Sequence, residues 1–129
     1  MSIRKFILGR IRSIQFAFEG WVTVLRDEKN TWVHAFFSLL AIGLGIWLKI
    51  TNDQWILLIL TIGMVWIAEF FNSAIEMMID LISPEIHQSA KKSKDIGAAA
   101  VLIAAIASVV IGLIMFLPPF LQKFTDVLR

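Results

Sequence analysis

Residues 55–82 read WILLILTIGMVWIAEFFNSAIEMMIDLI, an apolar run up to Ala68 that continues into a segment with acidic and amide side chains. A bilayer hydrocarbon core of about 30 Å requires roughly 20 helical residues. At about 1.5 Å per residue, Glu69 would lie about 21 Å beyond Trp55, still within the hydrocarbon. We therefore expect a membrane helix over residues 54–82 that carries a costly carboxylate below the membrane surface.

Four polar side chains of this helix share one face. With 100° per residue, Asn72, Glu76 and Asp80 fall at about −60°, −20° and +20° from Glu69. They could form a polar seam that pairs with lysines or with neighbouring helices. Alternatively, three acids on one face favour a site that binds a hard divalent cation such as Mg²⁺ together with substrate phosphates. Such a site suits phosphoryl transfer, which depends mainly on positioning and charge neutralisation.

The composition of the whole chain agrees with a membrane protein. The 129 residues are 58% hydrophobic and 17% charged, with a mean hydropathy of +0.79. These values exclude a disordered chain and argue against a soluble globular domain. The absence of cysteine excludes disulfides and thiolate chemistry, and no G-x-x-x-x-G-K-[ST] nucleotide-binding motif is present.

Two further apolar stretches predict membrane spans over residues 31–50 and 94–119. A short turn at residues 49–54 makes the first two spans antiparallel neighbours, and Pro84 closes the second span. A polar linker over residues 83–95 would follow, and Pro118 with Pro119 would end the last helix. Small residues every four positions, from Ala100 to Gly112, favour close helix packing in that last span.

The N-terminal segment, residues 1–28, combines basic residues with apolar residues at helical spacings, which is typical of an amphipathic helix in the membrane interface. Nine of the twelve cations lie in this segment, just after it, or in the second linker. The positive-inside rule therefore predicts a cytosolic N-terminus and an external C-terminus in a bacterial plasma (inner) membrane. The expected fold class is an all-α integral membrane protein, one domain over 1–129 with three spans and one surface helix.

The run Glu69-Phe70-Phe71-Asn72-Ser73-Ala74-Ile75-Glu76-Met77-Met78-Ile79-Asp80 resembles the pattern E-x-x-N-[ST]-A-I-E-x-x-x-D of the small prokaryotic lipid kinases, diacylglycerol kinase and undecaprenol kinase. Residues 90–102, with Lys94-Asp95 followed by small residues, are similar to that family's second block. The resemblance implies a homotrimer with active sites shared between subunits. It also implies that MgATP approaches from the cytosol and a lipid alcohol from the bilayer, with no nucleic-acid partner.

The resemblance also assigns roles to individual residues. Glu69 would be the catalytic base, beside the active-site amide of Asn72, while Asp80 completes the acidic face. Glu28 and Glu76 would hold Mg²⁺, the expected cofactor with ATP as co-substrate. The implied ATP-binding residues are Phe16, Glu28, Glu76, Glu85, His87, Lys94 and Asp95. The implied lipid-binding residues are Glu69, Gly20, Asn30 and His34.

The acceptor lipid is the finer question. Glu28, Asn30 and His34 are similar to the E-x-N-x-x-x-H pattern of the Gram-positive undecaprenol kinases, which favours undecaprenol as acceptor. Diacylglycerol is the alternative acceptor. Two more distant alternatives are a small ion or proton carrier, whose pathway the acidic face would line, and a membrane scaffold without catalytic activity.

Overall fold

The computed structural model describes residues 3–82 and 88–127, with side chains up to residue 125. These residues form four helices: α1 (Ile3–Asp27), α2 (Lys29–Leu48), α3 (Asn52–Ile82) and α4 (Gln88–Val127). The described part of the chain is therefore all-helical, as predicted. It divides into two compact units, Met1–Trp32 and Val33–Arg129, which are considered separately below.

Three of the helices are long and apolar enough to cross a membrane. They comprise Lys29–Leu48 with 20 residues, Asn52–Ile82 with 31 residues and Gln88–Thr125 with 38 residues. Large apolar side chains such as Leu39, Ile59 and Ile114 are more than 60% exposed along these helices. A bilayer accounts for this exposure, because lipid tails solvate apolar side chains that water would not.

The turn between α2 and α3 is closed by the backbone and by one side chain. Lys49 adopts a left-handed conformation with φ of 53°. Its N–H donates to Ile46 O at 3.2 Å, and the N–H of Ile50 donates to Gly45 O at 3.2 Å, the pairing of a Schellman motif. Gln54 then caps α3, since its Oε1 accepts a hydrogen bond from the Thr51 N–H at 2.9 Å.

The last helix continues through its two prolines, so the prediction that Pro118 and Pro119 end it is wrong. A proline lacks the N–H that would bond the carbonyl four residues earlier, so Pro119 leaves the carbonyl of Met115 without that donor. The side chain of Gln54 supplies one, because its Nε2 donates to Met115 O at 3.3 Å. Satisfying this carbonyl from α3 removes part of the cost of a proline inside a helix.

Helix α4 also begins earlier than expected, at Gln88. Lys91, Lys92 and Lys94, which were assigned to a polar linker, therefore lie on the first turns of a helix. Pro84 lies outside the described residues, although α3 ends at Ile82, just before it. Lys94 and Asp95, expected at the start of the last span, thus lie on α4 after its first turn.

Helices α3 and α4 pack against each other over much of their length. A small apolar cluster of Leu48, Ile50, Leu58 and Met115 lies near the α2–α3 turn. The predicted stripe of small residues on α4 is only partly confirmed as a packing surface, because Ala104 is buried whereas Ala100 is exposed. The core is therefore concentrated at the end of the helices that carries no acidic site residue.

Candidate functional site

Glu69 is the most deeply buried acidic residue of the described chain, with 2% of its surface exposed. Its Oε2 lies 3.6 Å from Nε2 of His34 on α2, whose side chain is 15% exposed. A carboxylate in a low-dielectric environment is costly unless a partner compensates for lost hydration. The imidazole of His34 provides such a partner, and sequence analysis had not paired the two residues.

The burial of the predicted polar face of α3 decreases along the helix from Glu69 to Asp80. Glu69 is buried, Asn72 and Glu76 are half-buried, and the Asp80 side chain is 66% exposed. One helical turn separates successive members of this series, as the spacing predicted. The deepest carboxylate is therefore set back from the solvent-accessible end by two turns of polar side chains.

Asn72 and Glu76 are joined by a hydrogen bond within α3. Asn72 Nδ2 donates to Glu76 Oε1 at 3.2 Å. The other end of the same amide, Oδ1, is buried and has no hydrogen-bond partner among the described residues. The amide thus fixes one oxygen of Glu76 while its own oxygen faces the neighbouring helix.

Ser73 is a polar site residue that sequence reasoning passed over. It is fully buried, and its Oγ has no hydrogen-bond partner within the described ranges. Such buried hydroxyls are uncommon in folded proteins. The available signal was its position one turn after Glu69, which placed a hydroxyl on the same side of α3.

Gly97 on α4 lies directly against the Asn72 amide. A Cβ atom built on Gly97 would collide with Asn72 Oδ1 and would also approach Asn72 Cγ at 3.5 Å. The glycine therefore allows α4 to approach α3 at the level of the site. The sequence pattern does not single out Gly97, which is one of several small residues after Lys94-Asp95.

The predicted basic and acidic residues of α4 are engaged in ion pairs. Lys94 Nζ contacts Asp80 Oδ1 across the α3–α4 interface. Lys91 Nζ lies 3.2 Å from Asp95 Oδ2, one turn away on the same helix. The reading of the acidic face as a seam that pairs with lysine thus holds for its outermost member, Asp80.

An apolar groove of about 620 Å³ runs between α2, α3 and α4. His34 lies at the end of the groove nearest Glu69, whereas Leu48, Met115 and Phe120 line its other end. The three hydroxyls along it are already hydrogen-bonded within the protein: Thr61 donates to Leu57 O at 2.7 Å, Ser108 donates to Ala104 O at 2.8 Å, and Ser38 Oγ accepts from Trp66 Nε1 at 3.1 Å. Apart from His34, the groove therefore offers a ligand almost only hydrocarbon contacts.

Several predicted site residues belong to the first compact unit. Phe16 is exposed on α1, and Gly20 is one turn further along the same helix. Glu28 is the single residue between α1 and α2, and its N–H donates to Val24 O at 3.0 Å. Asn30 is exposed near the start of α2. The remaining two predictions, Glu85 and His87, lie outside the described residues.

The carboxylates of the described residues fit one mode of Mg²⁺ binding. In the described ranges, no three His, Asp or Glu side chains come together as a protein-only metal site. Mg²⁺ is usually held by one or two carboxylates, with waters and substrate phosphates completing its octahedral shell. Half-buried Glu76, oriented by Asn72, fits that nucleotide-dependent mode.

The chain is similar to a family of known proteins. Residues 15–116 match the profile of the family described as prokaryotic diacylglycerol kinase. The chain is 37% identical over 98 residues to undecaprenol kinase of Bacillus subtilis, covering 76% of this chain and 79% of that protein.

Two diacylglycerol kinases are also similar. That of Synechocystis is 34% identical over 111 residues, covering 85% of this chain and 63% of the relative. That of Escherichia coli K12 is 43% identical over 72 residues, covering 56% of this chain and 59% of the relative. The matches to these two relatives thus span less than two thirds of their length.

Proposed function

The chain belongs to the prokaryotic diacylglycerol kinase family and is a membrane lipid kinase, and from that premise we propose that it phosphorylates undecaprenol with MgATP. The products would be undecaprenyl phosphate and ADP. The observation that carries the proposal is buried Glu69, paired with His34 at one end of an apolar groove. Diacylglycerol, named in the other relatives, is the alternative acceptor.

Glu69 is the catalytic base in this proposal. Its carboxylate takes the proton of the lipid hydroxyl as the hydroxyl oxygen bonds to the γ-phosphorus of ATP. The bond between that phosphorus and the β–γ bridging oxygen breaks, and ADP leaves with the electron pair. The burial of Glu69 supports this role, because it places the carboxylate where water is largely excluded from the reacting groups.

The groove supports a lipid acceptor. Its lining is apolar except near His34, so an occupant would place its polar end beside Glu69 and its hydrocarbon along α2, α3 and α4. A cavity of about 150 Å³ accommodates benzene, so 620 Å³ corresponds to about 25 carbon atoms. That is enough for part of one long hydrocarbon chain of a lipid acceptor.

Glu76 and Glu28 are the proposed Mg²⁺ ligands. Oxygen donors of this type suit a hard cation, and the bond from Asn72 supports a fixed orientation of the Glu76 carboxylate. Bound Mg²⁺ would neutralise charge on the transferred phosphoryl group. Glu28 belongs to the first unit, and its assignment rests on the family resemblance.

Nucleotide binding is proposed for Lys94 and Asp95, together with Phe16, Glu85 and His87 from the family resemblance, which assigns Gly20 and Asn30 to the lipid instead. An ammonium group beside phosphates offsets their charge. In this structure Lys94 is paired with Asp80, so nucleotide phosphates would compete with that carboxylate for the lysine. The pair is exposed, which keeps such an exchange inexpensive.

The proposed assembly is a homotrimer in the plasma membrane, with α1 lying as an amphipathic helix in the cytosolic interface and the C-terminus outside. The distribution of Lys and Arg supports this orientation. Sharing sites between subunits would surround the acidic face of α3 with protein rather than with lipid.

The test is phosphoryl transfer from radiolabelled ATP in mixed micelles, with undecaprenol and diacylglycerol offered in parallel at matched mole fraction. Glu69→Gln serves as the inactive control. Preferential labelling of undecaprenol is the expected result. Preferential labelling of diacylglycerol would retain the chemistry and reject the acceptor, whereas no labelling of either lipid would favour a carrier or scaffold.

A further inference from the structure

The contact between Gly97 and the Asn72 amide links α4 to the metal-binding carboxylate. Asn72 Nδ2 donates to Glu76 Oε1, and the Oδ1 of the same amide is buried against Gly97. The orientation of the amide follows from charge, because an amide oxygen turned towards the Glu76 carboxylate would be repelled. The nitrogen must face Glu76, and the oxygen must therefore face α4.

The space for that oxygen exists only because residue 97 has no side chain. A Cβ on Gly97 would overlap Oδ1, and the colliding atom is the end of a side chain that can rotate. Rotation of the amide is thus the least costly way for the protein to accept a larger residue. It would also withdraw Nδ2 from Glu76 and break the hydrogen bond between them.

We propose that Gly97 is a positioning residue for phosphoryl transfer, which acts by holding the Asn72 amide in the orientation that fixes Glu76. The inference rests on the proposed role of Glu76 as a Mg²⁺ ligand. Groups that hydrogen-bond to a metal ligand set the ligand's direction and basicity, and their loss typically weakens metal affinity or activity by about 10- to 100-fold. Gly97 acts one step further out, through Asn72.

The experiment measures the Mg²⁺ concentration for half-maximal lipid phosphorylation at fixed ATP. Gly97→Ala should raise that concentration about tenfold, with the KM for the lipid unchanged. The matched control is Gly43→Ala on α2, where an added Cβ meets nothing within 4 Å. Both substitutions replace a helical glycine by alanine, so the effect on helix propensity is shared and only the contact with Asn72 differs.

A double-mutant cycle tests whether the effect passes through Asn72. Asn72→Ala alone should raise the Mg²⁺ requirement as much as or more than Gly97→Ala. In the Asn72→Ala background, Gly97→Ala should add nothing, because the amide it would displace is gone. Additive effects would overturn the proposal, and so would a normal Mg²⁺ requirement in Gly97→Ala.

Folding and amide geometry give two readouts independent of catalysis. If Gly97→Ala fails to fold, the double variant should fold, since it relieves the collision; failure of both would overturn the proposal. In ¹⁵N-labelled protein, the Asn72 side-chain NH₂ signal should shift in Gly97→Ala and stay in place in Gly43→Ala. An unshifted signal would overturn the positioning role, whereas an inactive wild-type protein would reject the proposed kinase reaction instead.

Discussion

The two ends of the α3–α4 pair use polar groups in opposite ways. Near the α2–α3 turn, polar side chains complete the backbone: Gln54 reaches Met115 O, and Lys123 Nζ donates to Trp47 O at 2.6 Å. Near Glu69, side chains contact other side chains, and two buried polar atoms, Asn72 Oδ1 and Ser73 Oγ, have no partner among the described residues. Polar side chains at the first end satisfy backbone groups at the helix ends. At the second end, polar side-chain atoms remain available for other contacts.

This difference predicts a separation of phenotypes. Changes at the turn end should alter thermal stability with little effect on kinetic constants, because the polar groups there satisfy the backbone. Changes at the acidic end should alter kinetic constants with less effect on stability. Variants at each end test this expectation.

Glu69→Gln should have the largest effect. It removes the proposed base with little change in shape, so we expect kcat to fall by about 10²- to 10⁴-fold. Thermal melting in micelles and MgATP binding should remain close to wild type. The comparison variant is Asp53→Asn, which neutralises an exposed acid at the turn end. Full activity in Glu69→Gln would remove the residue from the role of base.

Glu76→Ala should have the next largest effect. Deleting an anionic oxygen ligand should raise the Mg²⁺ concentration for half-maximal activity by about 10- to 100-fold. Excess Mg²⁺ should recover part of the rate, which separates weakened binding from loss of the base. An unchanged Mg²⁺ titration would contradict the assignment of Glu76 to the metal.

Gln54→Leu tests the other end. It removes the side chain that caps α3 and the donor to Met115 O, and we expect about 1–3 kcal/mol lower stability. The measurement is chemical or thermal unfolding in micelles, with the KM values for MgATP and lipid as the control. Changed KM values at unchanged stability would contradict the proposed difference between the two ends.

Asp80→Asn should have the smallest effect on stability. The Lys94–Asp80 pair is largely exposed on the Asp80 side, and exposed ion pairs contribute about 0–1 kcal/mol. The difference should shrink further in high salt, because screening weakens such pairs. A loss of stability as large as that of Gln54→Leu would show that polar contacts at the acidic end also stabilise the fold.

The groove adds a third region between these two ends. The hydroxyls of Thr61 and Ser108 donate to carbonyls of their own helices, and Ser38 Oγ accepts a hydrogen bond from Trp66 Nε1 of α3 at 3.1 Å. The groove therefore resembles neither the capped turn nor the polar site. Its apolar lining leads from the turn to His34 and Glu69. A path of that character suits hydrocarbon, which needs no hydrogen bonds from the protein.

The sequence by itself determined the helices, their apolar character and the shared face of Glu69, Asn72 and Glu76. These features follow from local rules, because helical periodicity depends only on spacing along the chain. The motif around Glu69 also indicated the correct family before any geometry was known. The roles of individual residues within the site stay predictions.

Only the tertiary structure decided which residues of different helices meet. His34 faces Glu69, Gly97 faces Asn72, and Gln54 reaches the carbonyl freed by Pro119. Each contact joins residues far apart in the chain and depends on the relative register of two packed helices, which spacing within one helix does not contain. For the same reason the prolines of α4 were misread, since the donor that compensates for them lies on another helix.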